Sequence, residues 1–79
     1  MSSSTLDEVR QTVADVFSLD IQQVMSSTSP ESTAAWDSMG HLNLVLALEQ
    51  RFDVSFSPEQ ISQLTTVQAL ADAIRAQST

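Results

Sequence analysis

Apolar residues recur along this chain at steps of three and four, broken by stretches where serine, threonine and proline gather, so the pattern predicts helices joined by connections. Leu6, Val9, Val13, Val16 and Phe17 trace a first amphipathic helix from about Thr5 to Phe17. Thr5, with Glu8 three residues later, has the spacing of a capping box and predicts its start. A connection follows from Ser18 to Asp37, rich in Ser and Thr and containing Pro30. It is longer than loops in compact domains usually are, so parts of it must be pinned to the core or serve a function. Ile21 and Val24 are the expected first pins and Trp36 the second.

A second helix from about Ser38 to Phe52 is apolar on two faces. At about 100° per residue, Leu44, Val45, Leu48 and Phe52 fall within one arc and predict the core face. Met39, Leu42 and Leu46 gather on the opposite side, with Glu49 and Asp53 beside them. A helix serving only its own fold carries polar residues there; an apolar patch with an acidic edge marks a docking site. Val54 and Phe56 then alternate with serines as the chain crosses the core. Ser57-Pro58-Glu59-Gln60 combines a serine cap, proline at the first helical position and glutamine at the box position, and opens a short helix with Ile61 and Leu64 inward. Thr65-Thr66 caps a last helix stepped by Val67, Leu70, Ala71 and Ile74. The expected fold is all-α: a four-helix bundle, three helices long and one short, with a long loop between the first two, in a single domain over residues 1–79.

Composition narrows the partners. Ten acids against three arginines and no lysine give a net charge of −7, which repels phosphate backbones and anionic lipid heads. No nucleic acid and no membrane is expected as partner; positively charged protein surfaces are the complement. No cysteine is present, so the chain has neither disulfides nor a thiol of its own. One histidine and no cysteine cannot build a zinc site, and neither a calcium loop nor a glycine-rich phosphate loop is found, so no metal is expected. No apolar run reaches transmembrane length, and the first four residues lack a signal peptide's basic and apolar regions. A discrete, monomeric, cytoplasmic protein is the expectation.

The candidate chemistry sits at Asp37-Ser38, the mouth of the second helix. Both residue types are common helix caps, and capping alone is the bland reading of the pair. A hydroxyl there also meets unpaired backbone N–H groups and the positive end of the helix dipole, which stabilises a phosphodiester by up to about 1 kcal/mol. Gly40, the one glycine, is either slack in the first helical turn or a place where a bound group or a partner approaches closely. His41 lies three residues past Ser38, but no oxyanion-hole motif or orienting acid accompanies it, so a structural or rim role is expected rather than a hydrolase. Trp36 is expected to plug the loop against the helices.

Taken together, the Asp37-Ser38-Met39 motif, the long loop before it, the leucine-rich helix ending in Phe52 and the segment Leu64-Thr65-Thr66-Val67-Gln68-Ala69-Leu70 resemble the acyl carrier proteins over nearly the whole chain. The resemblance implies a bundle of acyl-carrier type without catalytic activity of its own. It implies that Ser38 receives a 4′-phosphopantetheine arm from coenzyme A, that Asp37 is read by the phosphopantetheinyl transferase, and that the arm's thiol carries acyl groups as thioesters. Acyl-loading, condensing or transferring enzymes of fatty-acid or polyketide biosynthesis are the implied partners, meeting Met39, Leu42, Leu46, Glu49 and Asp53. Met39 replaces the family's usual leucine. Gly40, Asn43 and Gln50 stand where the family is often acidic, so docking should depend on the apolar stripe more than on charge. Two other readings share part of this pattern. One is a peptidyl or aminoacyl carrier of nonribosomal synthesis, whose motif usually has glycines before the serine. The other is an unmodified helical interaction module.

Overall fold

The computed structural model describes residues 4–78, and of Ser78 the backbone alone. The first three residues, which entered the reading of the N-terminus as lacking signal-peptide character, lie outside the described residues. Four helices follow in order: α1 (Thr5–Phe17), α2 (Ser38–Phe52), α3 (Pro58–Gln63) and α4 (Val67–Ser78), with one 3-10 turn, Ile21–Gln23, in the long loop. No strand occurs among the described residues, and none of these helices is long and apolar enough to cross a membrane.

α1 lies at the centre of the bundle, against both α2 and α4. Most inward residues are those the periodicity selects: Val9, Val13 and Phe17 from α1, Leu44, Val45 and Leu48 from α2, and Val67, Leu70, Ala71 and Ile74 from α4. On α1, Thr12 and Ala14 are buried as well, while Leu6 and Val16 are only partly so. Phe56 is also buried, and Val54, Ile61, Leu64 and Phe52 press against this core half-covered. α3 buries no residue completely, so it lies on the bundle rather than in it.

The ends of the helices show which polar groups fix the register. α1 is capped by Ser4, whose Oγ accepts from the Asp7 N–H at 3.1 Å; Thr5 is the first helical residue, so the expected Thr5–Glu8 box does not form. A shift of one residue leaves the apolar face unchanged, which is why the hydrophobic pattern does not choose between neighbouring hydroxyls. The box at Ser57 and Gln60 forms as expected, with Pro58 in the first turn. Thr66 Oγ1 accepts from the Ala69 N–H at 3.0 Å at the start of α4. α1 and α2 both end on a non-glycine residue in the left-handed region, Ser18 at φ 56° and Asp53 at φ 55°.

The long loop is pinned more thoroughly than three apolar residues would achieve. Val24 and Trp36 are fully buried, and Ile21 is partly so. Arg10, on α1, donates to the carbonyls of Ile21 at 3.1 Å and Val24 at 2.6 Å, tying the 3-10 turn down. Further on, the loop caps α4: the carbonyls of Thr28 and Ser26 accept from the N–H groups of Val67 and Gln68 at 3.1 and 2.9 Å. Thr28 is itself buried, its Oγ1 accepting from the Met25 N–H at 2.8 Å. A helix end covered by protein needs such partners; here the loop supplies them and gains a fixed course.

Candidate functional site

Two residues divide the work at the mouth of α2. Asp37 sits in extended conformation just outside the helix, and its Oδ1 accepts from the Gly40 N–H at 2.8 Å. It is the cap. Ser38 is the first helical residue, exposed, and its hydroxyl has no hydrogen-bond partner among the described residues. The backbone N–H groups of Ser38 and Met39 are also left open at this end. The contrast with α4 is direct: there the loop carbonyls close the mouth, whereas at α2 the side-chain cap satisfies one donor and the serine stays unengaged.

Gly40 explains how the chain reaches this point. A Cβ there would meet the Ala35 carbonyl oxygen at 2.5 Å, Phe17 Cε1 at 2.9 Å and Asp37 Oδ1 at 3.2 Å. The glycine is therefore a place of close approach, and what approaches is the protein's own loop and the cap, packed against the end of α1.

Trp36 and His41 form the next layer. Trp36 is buried against Phe17, ring centroids 5.6 Å apart, and lies stacked on His41 at 6.0 Å. The indole N–H donates to His41 Nδ1 at 2.9 Å, and His41 Nε2 lies 2.6 Å from the carbonyl oxygen of Ile61. If Nδ1 accepts, the neutral ring must carry its proton on Nε2 and donate to Ile61. Both nitrogens are then engaged, as suits a structural histidine.

Two hollows open at Ser38. One, of about 360 Å³, is lined by Pro30, Trp36, Asp37, Ser38, His41 and Thr65. The other, of about 450 Å³, lies between α2 and α3 and is lined by Ser38, His41, Leu42, Pro58, Ile61 and Ser62. The loop and α3 residues in these walls carry no sequence signal that points to this site; only the fold brings them to Ser38. A free hydroxyl beside open N–H groups and next to room for a slender chain has the chemistry a phosphate ester with an attached arm requires.

The outward stripe is where the helical wheel puts it. Met39 is 70 %, Leu42 49 % and Leu46 55 % exposed, on the same helix whose Leu44 and Leu48 are fully buried. Asp53 is exposed at the end of α2, while Glu49 is half-buried and its Oε2 accepts from the Phe56 N–H at 2.9 Å, holding the connection to α3. The three arginines are engaged elsewhere, with Asp7, Asp15 and Asp72 at 3.2 to 3.9 Å.

Comparison with known proteins gives the family. Residues 7–74 match the family described as "Phosphopantetheine attachment site". The acyl carrier protein of Thermosynechococcus vestitus is 35% identical over 72 residues, covering 91% of this chain and 89% of that one. The solution structure of the holo acyl carrier protein from Geobacter metallireducens superposes with a TM-score of 0.81 at 32% identity, covering 91% of this chain and 83% of the other. An acyl carrier protein from Enterococcus faecalis gives 0.73 at 26% identity, covering 91% of each. With its four-helix fold and a free serine at the mouth of α2, the chain belongs to the acyl carrier proteins, whose prosthetic group is 4′-phosphopantetheine.

Proposed function

We propose that Ser38 bears the phosphopantetheine arm, and that the chain presents acyl intermediates to separate enzymes of fatty-acid, polyketide or related biosynthesis. The observation that carries this reading is the division of labour at α2: Asp37 caps the helix, so the Ser38 hydroxyl is exposed and unengaged. The Ser38 oxygen attacks the phosphorus that bears the arm in coenzyme A, the pyrophosphate P–O bond breaks and adenosine 3′,5′-bisphosphate leaves; the open N–H groups of the first turn face the phosphodiester charge that results. The serine proton leaves to a base belonging to the transferase, because the one histidine of the chain has both ring nitrogens engaged. When bound, the arm supplies the thiol that this cysteine-free chain lacks, and holds the acyl group as a thioester.

Asp37 is the residue the transferase reads beside Ser38. Met39, Leu42 and Leu46 form the docking stripe for that enzyme and for the acyl-loading, condensing or transferring enzymes, with Asp53 as its exposed acid and Glu49 behind it. The partners' matching surfaces are apolar first and basic second. Gly40, Asn43 and Gln50 add no charge to this face, and the Glu49 carboxylate is committed to the Phe56 N–H.

Intact mass spectrometry after incubation with coenzyme A and a phosphopantetheinyl transferase tests the reading. The wild-type chain gains the mass of one arm and Ser38→Ala gains none. A wild-type chain that stays unmodified overturns it.

A further inference from the structure

We propose that His41 is a positioning residue for Ser38: through Trp36 it fixes the approach of the chain to the mouth of α2, and through Ile61 it holds α3 beside that mouth. The proposal rests on Ser38 being the residue that takes the arm.

Position along the helix gives the first argument. With Asp37 as cap, Trp36 is the residue just before the cap and His41 the fourth helical residue. Those two places are where a pair of apolar side chains often packs to set the direction from which a chain enters a helix. Here the pair is stacked, centroids 6.0 Å apart, and also hydrogen-bonded at 2.9 Å. Trp36 is only 1% exposed, and a buried N–H left without an acceptor is destabilising, so His41 Nδ1 is what allows the indole to stay in place. One residue, Asp37, separates Trp36 from Ser38. With both Phe17 and His41 against the indole, little freedom remains in the backbone that delivers the serine.

The second argument comes from the far side of the ring. α3 buries no residue completely, and the Nε2–H of His41 meets its Ile61 carbonyl at 2.6 Å. His41 lines both hollows that open at Ser38, so the imidazole is the partition between the loop side and the α3 side of the site. One side chain thus sets both where Ser38 stands and what flanks it.

The chain holds a single tryptophan, so its indole N–H signal in a proton–nitrogen spectrum and its fluorescence report on Trp36 alone. The experiment compares wild type, His41→Ala, His41→Gln and Trp36→Phe, the last keeping a ring while deleting the donor. In wild type the indole N–H should be protected from solvent exchange. In His41→Ala it should exchange freely, and in His41→Gln, which offers one acceptor and one donor, protection should partly return. In arm transfer from coenzyme A, His41→Ala and Trp36→Phe should lose about tenfold to a hundredfold in kcat with KM little changed, the signature of a misplaced reacting group, and His41→Gln should recover part of it. Circular dichroism confirms that the compared variants are folded; if His41→Ala is not, Trp36→Phe and His41→Gln carry the test. Folded variants that load at the wild-type kcat overturn the proposal. A wild type that does not load, with its indole N–H still protected, strikes instead at Ser38 as the attachment residue.

Discussion

The two faces of α2 are built from nearly the same residues and do opposite things. Leu44, Val45 and Leu48 are fully buried, while Met39, Leu42 and Leu46, on the same fifteen-residue helix, are exposed. Propensity and hydropathy cannot tell the two sets apart, since both are unbranched or branched aliphatics spaced for a helix. What separates them is what lies opposite: α1 packs against the first set, and none of the described residues buries the second. Burying one leucine-sized side chain is worth about 1.5–3 kcal/mol, so three left in water are a cost that folding does not require. The inner face specifies the fold, and the outer one is available to a partner.

The sharpest way to break this contrast is to put the same charge on each face. In Leu48→Glu a carboxylate enters the core without a partner, at a cost of several kcal/mol, against a total stability of about 4–12 kcal/mol for a chain this size. The domain should unfold, and circular dichroism would report it.

Gly40→Ala should have the next largest effect on stability. The added methyl lies 2.5 Å from a backbone oxygen that cannot rotate away, so the loop must shift, at about 1–3 kcal/mol. Better helix propensity returns up to about 1 kcal/mol, so the melting temperature should still fall. A rise would show that the loop yields freely and that the approach to Ser38 is not tightly set.

Leu46→Glu should change stability by no more than about 0.5 kcal/mol, while transfer by partner enzymes drops sharply. If it unfolds the domain like Leu48→Glu, or folds and transfers normally, the outer face is not the docking surface.

Salt should produce the smallest change. Screening shortens the reach of each charge to about 8 Å at physiological ionic strength, so the melting temperature should rise modestly as self-repulsion among the −7 excess is relieved. Partner docking through the apolar stripe should be nearly insensitive to the same salt. A strong loss of transfer with salt would move the emphasis from Met39, Leu42 and Leu46 to the acids.

The same contrast marks how far the sequence could be read. Helices, faces and the position of Asp37-Ser38 follow from periodicity and side-chain chemistry, which is why the ranges of α1 and α2 and most core residues stand as expected; the buried Thr12 and Ala14 lie beside the apolar stripe rather than in it. What escaped is carried by backbone groups, which have no signature in the residue names. The loop caps α4 through the carbonyls of Ser26 and Thr28, Arg10 grips two more, His41 reaches the Ile61 carbonyl twenty residues on, and Glu49 turns to the Phe56 N–H. Ser4 displaced Thr5 as the cap of α1 because neighbouring hydroxyls are chemically equivalent. Gly40 was ambiguous for the same reason: the oxygen it makes room for belongs to a main chain.

Locating the added mass shows whether Ser38 takes the arm. Cleavage at arginine yields a fragment from Gln11 to Arg51 that contains six serines: Ser18, Ser26, Ser27, Ser29, Ser32 and Ser38. Fragmenting this piece of the loaded protein by tandem mass spectrometry should place the whole phosphopantetheine mass on Ser38, and a mass found on any of the other five would contradict the account.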